Sequence, residues 1–185
     1  MVKRILDIVC SLLALAVLFP LLLLLALAVV LDSRGGAIFV QQRIGQGGKP
    51  FGIYKFRTMI PNAESKGPLL AVRGDPRVTR VGKFLRRWSL DELPQLLNIL
   101  TGQMSMVGPR PEIPQLVAGY SPWQRRVLEV QPGLTGFSQV LGRDDIEMER
   151  KLRLDNYYVT HRSLCLDLWI IMRTAVIVIN GRGAF

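Results

Sequence analysis

Hydrophobic and polar positions divide this chain into one long apolar run and a series of shorter periodic stretches. Residues 8–31 are 24 consecutive positions without a charge, with Lys3 and Arg4 before them and Arg34 after. As a helix the run would extend roughly 36 Å, against a bilayer hydrocarbon core of about 30 Å. It is too long for the apolar region of a cleaved signal peptide, and no small-residue cleavage pattern follows it. Pro20 lies at its middle, where a missing amide donor and a crowded turn are expected to kink or break the helix. Two topologies are open on these residues. A single span would leave Lys3 and Arg4 across the membrane from the basic remainder, against the positive-inside tendency. A re-entrant helix–break–helix would keep both ends on one side, with legs reaching roughly 17 Å into the bilayer.

Beyond the run the period changes. Residues 37–40 and 51–59 read as strands, and the glycine-rich stretch 45–50 as the turn that makes them a hairpin. Because that stretch leads into a strand rather than a helix, a turn is the better reading than a phosphate cradle. Lys55 sits in the second strand with either a solvent or a ligand role open. Residues 61–75 are loop-like. At 100° per residue, Val78, Val81, Phe84, Leu85 and Trp88 share one arc of a helix, and Arg80, Lys83, Arg86 and Arg87 the opposite one. That describes a helix lying in a membrane interface, or one packed on a protein core.

The next stretch, Ser89-Leu90-Asp91-Glu92-Leu93-Pro94-Gln95, opens an apolar-periodic helix in which Leu93, Leu96, Leu97 and Leu100 fall on one face. With Asp91 as N-cap, Pro94 falls in the first turn, where no donor is missed. Both carboxylates are then expected among unpaired backbone N–H groups at the positive end of the helix. A capped helix with an acidic first turn is the plain reading. Further on, Gly108-Pro109-Arg110-Pro111 cannot be helical, and its stiff backbone presents Arg110 either to an anionic ligand or to a neighbouring carboxylate. Residues 121–129 read as a short helix, 131–136 as a turn and 137–141 as a short extended piece. The alternating charges of 143–153 read as a solvated face. Residues 163–180 are apolar with helical spacing at Leu164, Leu168, Ile171, Ala175 and Val178. Asp167 and Arg173 argue against a second span, leaving a helix on the membrane surface or on the core.

Composition sharpens this picture. The 185 residues are 49% hydrophobic yet carry a net charge of +10. Soluble nucleic-acid-binding proteins are rarely so apolar, whereas a membrane-surface protein needs both properties, so lipid and not nucleic acid is the expected partner. Cys10 and Cys165 give no disulfide framework. With one histidine, His161, there is no soft zinc constellation, and no Ser-His-Asp triad is compelling. The fold expected is α+β and mostly helical: an N-terminal membrane segment with both topologies still open, a small β-hairpin, and interfacial amphipathic helices around a compact core. Residues 1–34 would form the membrane element and 35–185 the rest of the molecule.

These motifs occur in order along nearly the whole chain: the N-terminal apolar segment, Tyr54-Lys55-Phe56-Arg57-Thr58-Met59, the Asp91-Glu92 stretch, Gly108-Pro109-Arg110-Pro111, and Pro132-Gly133-Leu134-Thr135-Gly136 with Gln139 and Gly142-Arg143. Together they closely resemble the bacterial sugar transferases, the monotopic phosphoglycosyl transferases, in what looks like a minimal catalytic unit. The resemblance implies transfer of a sugar-1-phosphate from a UDP-sugar to a polyprenyl phosphate such as undecaprenyl phosphate, on the cytoplasmic face of a bacterial inner membrane. It implies Asp91 as nucleophile, forming a phosphoglycosyl-aspartate in a ping-pong reaction, and Glu92 as its helper with metal or proton. Mg²⁺ is the expected cofactor, at Asp91 and Glu92. Lys55, Arg87, Arg110 and Arg143 are expected to neutralise phosphates, and Pro20 to break residues 1–34 into a re-entrant membrane helix–break–helix, with 35–185 as the catalytic domain. Members often carry Ser-Pro at that break, where this chain has Phe19-Pro20. The sugar, the glycan pathway and the oligomeric state are not legible. Two rivals use the same residues: a membrane-anchored basic binding module, and a phosphatase of polyprenyl substrates.

Overall fold

The computed structural model describes residues 2–180 apart from 69–71, 73 and 143–145. Seven helices and four short strands are among them: α1 (Val2–Asp32), β1 (Ile38–Ile44), β2 (Pro50–Phe56), α2 (Arg80–Arg87), α3 (Gln95–Leu100), β3 (Ser105–Val107), α4 (Pro114–Ala118), β4 (Gly133–Thr135), α5 (Phe137–Gly142), α6 (Met148–His161) and α7 (Leu164–Ile179). The molecule is mostly helical with very little sheet.

α1 absorbs the whole apolar run and continues through Pro20 as one helix of 31 residues, long and apolar enough to cross a bilayer. The expected interruption at Pro20 is not present as a gap in the helix. A proline removes one intrahelical hydrogen bond, which neighbouring turns can tolerate. Most of the apolar surface of α1 is exposed, but one face follows the body of the protein. Near its start, Arg4 donates to the carbonyls of Ile99 and Leu100 at 2.6 and 2.9 Å, and Asp7 accepts from the Met106 amide at 2.9 Å. Midway, Ala14 and Leu15 pack on Phe51, Ile53, Leu96, Ile99 and Met104. Towards its end, Leu25 and Val29 join Phe56 and Leu85, and Asp32 accepts from the Val81 amide at 2.9 Å. Leu85 and Ile99 are completely buried, each worth about 1.5–3 kcal/mol of burial.

β1 and β2 form the expected antiparallel hairpin, with Phe39 opposite Lys55. Gly47 and Gly48 take positive φ in its turn, a region glycine enters without steric cost. α2 begins at Thr79, whose side chain accepts from the Gly82 amide. Val81 and Leu85 turn towards α1 and β2, while Phe84 stays exposed. The apolar arc read from the sequence is therefore divided between the protein core and the surface.

Two local readings are corrected. Residues 133–135 are a strand, not a turn: β4 pairs in parallel with β3, Ser105 opposite Gly133 and Val107 opposite Thr135. The pairing needs glycine, since a Cβ on Gly133 would meet the Gly108 nitrogen at 2.1 Å. Residues 137–142 are the helix α5, not an extended piece. Strand and helix patterns are indistinguishable in so short a run. Here Ser138 and Val140 are buried and Phe137 stacks on Tyr157 of α6. In α7 the inward face is Leu166, Asp167, Ile170, Thr174 and Ile177, while Leu164, Leu168 and Ile171 point outward.

Candidate active site

The two adjacent acids do not cap the helix that follows them. Leu90–Glu92 is a turn of 3₁₀ helix, and α3 begins only at Gln95, with Pro94 at its N-cap. Proline has no amide, so the acids are displaced into the preceding turn and Pro94 occupies the place where no donor is missed. Ser89 makes the reversal out of α2 with φ of 54°, a left-handed conformation uncommon outside glycine.

Glu92 is gripped by two cations. Lys55 Nζ donates to Oε1 at 2.8 Å, and Arg110 forks across the carboxylate, Nη2 to Oε1 at 2.7 Å and Nη1 to Oε2 at 3.3 Å. Burial pushes the Glu92 carboxyl upward, but the charges of Arg110 and Lys55 and their hydrogen bonds outweigh it and hold Glu92 well below the usual carboxylate range. Asp91 behaves in the opposite way. Burial, reinforced by the ionised Glu92 beside it, raises its pKa, while Lys55, Arg86 and Arg110 pull against that rise. Among the described residues, Lys55, Arg86 and Arg110 act on Asp91, and Arg43 acts on Glu92 as well. Cations thus outnumber the two carboxylates, which suits an anionic ligand.

The fold explains how the cations arrive. In β2, Phe51, Ile53 and Lys55 share one face. Phe51 and Ile53 sink into the core and carry Lys55 to Glu92. The open edge of β2 is closed by Asn98 of α3. Its Oδ1 accepts from the Tyr54 amide at 3.0 Å and its Nδ2 donates to the Gly52 carbonyl at 2.7 Å. A fully buried side chain therefore replaces a third strand and sets α3 against the strand that bears Lys55. On the other side, Gly108 donates to Thr135 O at 3.0 Å and Gly133 to Pro109 O at 2.9 Å, extending the β3–β4 pairing into the Arg110 loop. Arg43 donates to Pro111 O at 3.0 Å and to Glu112 at 3.5 Å, and Lys151 also binds Glu112.

Of the residues expected from the sequence, Asp91, Glu92, Lys55 and Arg110 meet at one place. Arg110 does so as the partner of a carboxylate, one of the two roles left open for it. Arg87 is exposed, with its guanidinium over the Trp88 ring at 5.8 Å from the centroid. Its neighbour Arg86 is the one whose charge acts on Asp91, and its Nε donates to Thr58 Oγ1 at 2.9 Å. A sequence signal for this was present in Gly82, four residues earlier on the same helix face. A Cβ there would meet the Thr58 carbonyl oxygen at 2.1 Å, so that face must be inward. Arg143 lies outside the described residues. Lys151, expected on a solvated face, is turned inward to Glu112, and Asp155, buried on the same helix, has its pKa pushed up to about 6 by desolvation.

No group of three or more His, Cys, Asp or Glu side chains able to hold a metal occurs among the described residues. Asp91 and Glu92 alone do not make a complete cage. Magnesium is commonly held by one or two carboxylates with substrate phosphates and water supplying the rest; both Glu92 oxygens already accept from Lys55 and Arg110, so that mode falls to Asp91 first.

The whole chain matches known proteins. The family model of the bacterial sugar transferases covers residues 1–181. The chain is 40% identical over 198 residues to an undecaprenyl-phosphate galactose phosphotransferase of Salmonella typhimurium, covering 99% of this chain and 41% of that protein. It is 43% identical over 199 residues to a UDP-glucose:undecaprenyl-phosphate glucose-1-phosphate transferase of Caulobacter vibrioides, covering 99% of this chain and 72% of that one. An N-acetylgalactosaminephosphotransferase of Aeromonas hydrophila that uses the same lipid is 40% identical, with 45% of its length covered. The chain thus spans less than half the length of several of the relatives it matches. On a family match that runs through α1, the Asp91 turn and the Arg110 loop alike, this chain belongs to the bacterial sugar transferases.

Proposed function

We propose that this chain transfers a sugar-1-phosphate from a UDP-sugar to polyprenyl phosphate, with Asp91 as nucleophile. The observation that carries the reading is a buried Asp91 one residue from a glutamate already neutralised by Lys55 and Arg110. Relatives named as sugar-1-phosphate transferases acting on undecaprenyl phosphate supply the substrate class.

Asp91 attacks the sugar-linked phosphorus. A new P–O bond forms to the carboxylate, the bond to the bridging oxygen breaks, and UMP departs with the electron pair. A phosphate oxygen of the polyprenyl phosphate then attacks the same phosphorus, and the acyl-phosphate bond breaks to restore Asp91. An acyl phosphate is an established kind of covalent intermediate. Displacement at phosphorus depends on alignment and charge stabilisation more than on proton transfer. Lys55, Arg86 and Arg110 provide fixed positive charge beside the nucleophile. Glu92 orients two of them. Asp91 first, and Glu92 beside it, would hold Mg²⁺ with substrate phosphates, where it would add further charge neutralisation.

The membrane reading follows the same logic. Arg4 and Asp7 fasten the start of α1 to the body that Asp32 fastens at its end. α1 also packs on that body midway, at Ala14 and Leu15, so the body follows the helix along its length instead of leaving it to cross a bilayer alone. This supports a monotopic protein on the cytoplasmic face, with α2 and the exposed apolar face of α7 at the interface. Cysteines placed near residues 3 and 35 in a Cys10-free background should be labelled from the same side of sealed inner-membrane vesicles. Opposite accessibility would establish a span. For the chemistry, incubation with UDP-sugar labelled in the sugar should leave label on Asp91 before acceptor is added. A strict need for both substrates together, with no bound label, would overturn the ping-pong route.

A further inference from the structure

A small open pocket lies beside Glu92, lined by Arg43, Ile53, Lys55, Gln95, Arg110 and Pro111. The space within it is of the order of a single water, so it suits one oxygen of a larger ligand. Three of its six lining side chains are cations. Arg43 and Arg110 are close enough for their charges to oppose: burial lowers the Arg43 pKa most, and the Arg110 charge lowers it further. Arg43 is already held by Gln41, the Pro111 carbonyl and Glu112, and Arg110 by Glu92, so an anion entering here meets their charge more than a vacant guanidinium fork.

Gln95 is the unexplained member. It is 98% buried, by its relative exposure of 2%, and its Nε2 is buried without a hydrogen-bond partner. Buried polar groups are nearly always paired, and an exception at a pocket wall calls for a missing partner. A donor flanked by cations finds that partner in an oxygen carrying negative charge. We propose that the Gln95 amide is a direct substrate contact, donating to a phosphoryl oxygen seated between Arg43, Lys55 and Arg110. The proposal rests on the phosphoglycosyl transferase reading for its ligand. Two phosphates of that reaction share the required chemistry, the diphosphate of the nucleotide sugar and the phosphate of the polyprenyl acceptor.

The amide also bears on stability. An unsatisfied buried donor costs free energy in the ligand-free protein, and an apolar replacement of the same shape removes that cost. Gln95→Met should therefore melt at or above the wild-type temperature while binding phosphate less well. Gln95→Glu keeps the shape, but a carboxylate in place of the amide repels phosphate and should be the more damaging.

The test uses the full chain in detergent or nanodiscs, with Gln95→Met and Gln95→Glu beside wild type. Melting temperature is read without ligand and with inorganic phosphate. KM is read separately for the UDP-sugar, from UMP release, and for undecaprenyl phosphate. Expected are an unchanged or higher ligand-free melting temperature for Gln95→Met, a smaller stabilisation by phosphate, and a KM raised roughly ten- to hundredfold for one substrate, the range for losing a hydrogen bond to a charged group. A rise for UDP-sugar assigns the pocket to the donor diphosphate, and a rise for undecaprenyl phosphate assigns it to the acceptor. Unchanged phosphate stabilisation with both KM values unchanged overturns the proposal, as does a lowered ligand-free melting temperature with normal KM values. If Gln95→Met does not fold, Gln95→Glu carries the same comparison. If wild type turns over no UDP-sugar, the transferase reading fails, and the phosphate melting shifts still decide whether Gln95 contacts an anion.

Discussion

Two glutamates on either side of the Arg110 loop are each held between two cations, and they serve different ends. Glu92 lies between Lys55 and Arg110, and Glu112 between Arg43 and Lys151. All these side chains are largely withdrawn from water. Beside Glu92 stands Asp91, whose pKa is raised, and a pocket with an unpaired amide. Glu112 fixes the backbone from which Arg110 reaches forward, because Arg43 binds both Glu112 and the Pro111 carbonyl. Similar charge arrangements thus do two jobs: one presents charge to a ligand, the other holds the loop that carries it. An ion triad by itself says little about function. Its neighbours decide.

The strongest way to sharpen this contrast is Asp91→Asn. Transfer should fall on the order of 10³-fold or more, as for removal of other covalent nucleophiles. Stability should not fall with it. Burial raises the folded Asp91 pKa above its unfolded value, so ionised Asp91 destabilises the native state once the pH exceeds that raised pKa. The variant's melting temperature at neutral pH should equal or exceed wild type, and any gain should vanish below the ordinary carboxylate range. A melting-temperature series against pH checks the sign.

Glu92→Ala and Glu112→Ala form the next pair. Each leaves two cations in poor solvent without their carboxylate, at a cost of about 3–5 kcal/mol. They should separate when UDP is added. A diphosphate can take the place of Glu92 between Lys55 and Arg110, so UDP should raise the melting temperature of Glu92→Ala more than that of wild type. It should do no such thing for Glu112→Ala. Equal responses would show that the two triads are not functionally distinct.

Asn98→Leu tests whether Lys55 depends on its strand edge. The Tyr54 amide and Gly52 carbonyl would lose their partner, at about 1–3 kcal/mol for each buried group left unpaired. Chemical denaturation should register that loss, with activity falling as Lys55 shifts from Glu92. The smallest effect is expected from Arg86→Gln on the pH profile. Arg86 is one of the cations that hold the Asp91 pKa down. Activity should fall as acid protonates Asp91, with a limb above the ordinary carboxylate range. Without Arg86 that limb should move to higher pH, as a kcat/KM profile would register.

Much of this was visible in the chain itself, for identifiable reasons. α1 follows from an apolar run longer than a soluble core helix needs, and the β1–β2 hairpin from glycines whose turn conformation other residues resist. The pairing of Asp91 and Glu92 is covalent adjacency, and Lys55 and Arg110 stood out by the motifs around them. The errors share one cause. β4 looked like a turn because its partner strand lies about 28 residues away in sequence, a separation set by the Ser105–Gly133 register. Arg86 looked solvated because helix periodicity gives faces but not which face a neighbouring Thr58 approaches.

Sequence alone determined the apolar helix, the acid pair, the basic excess and the family, since each depends on residue identity or on spacing within one segment. Only the tertiary structure decided that Lys55 and Arg110 converge on Glu92, that Arg86 rather than Arg87 faces Asp91, and that Gln95 lines their pocket without a partner. Those are distances between segments far apart in the chain. They are set by how Phe51, Ile53, Ile99 and Leu85 bury and by how Asn98 closes the edge of β2, terms that no local pattern contains.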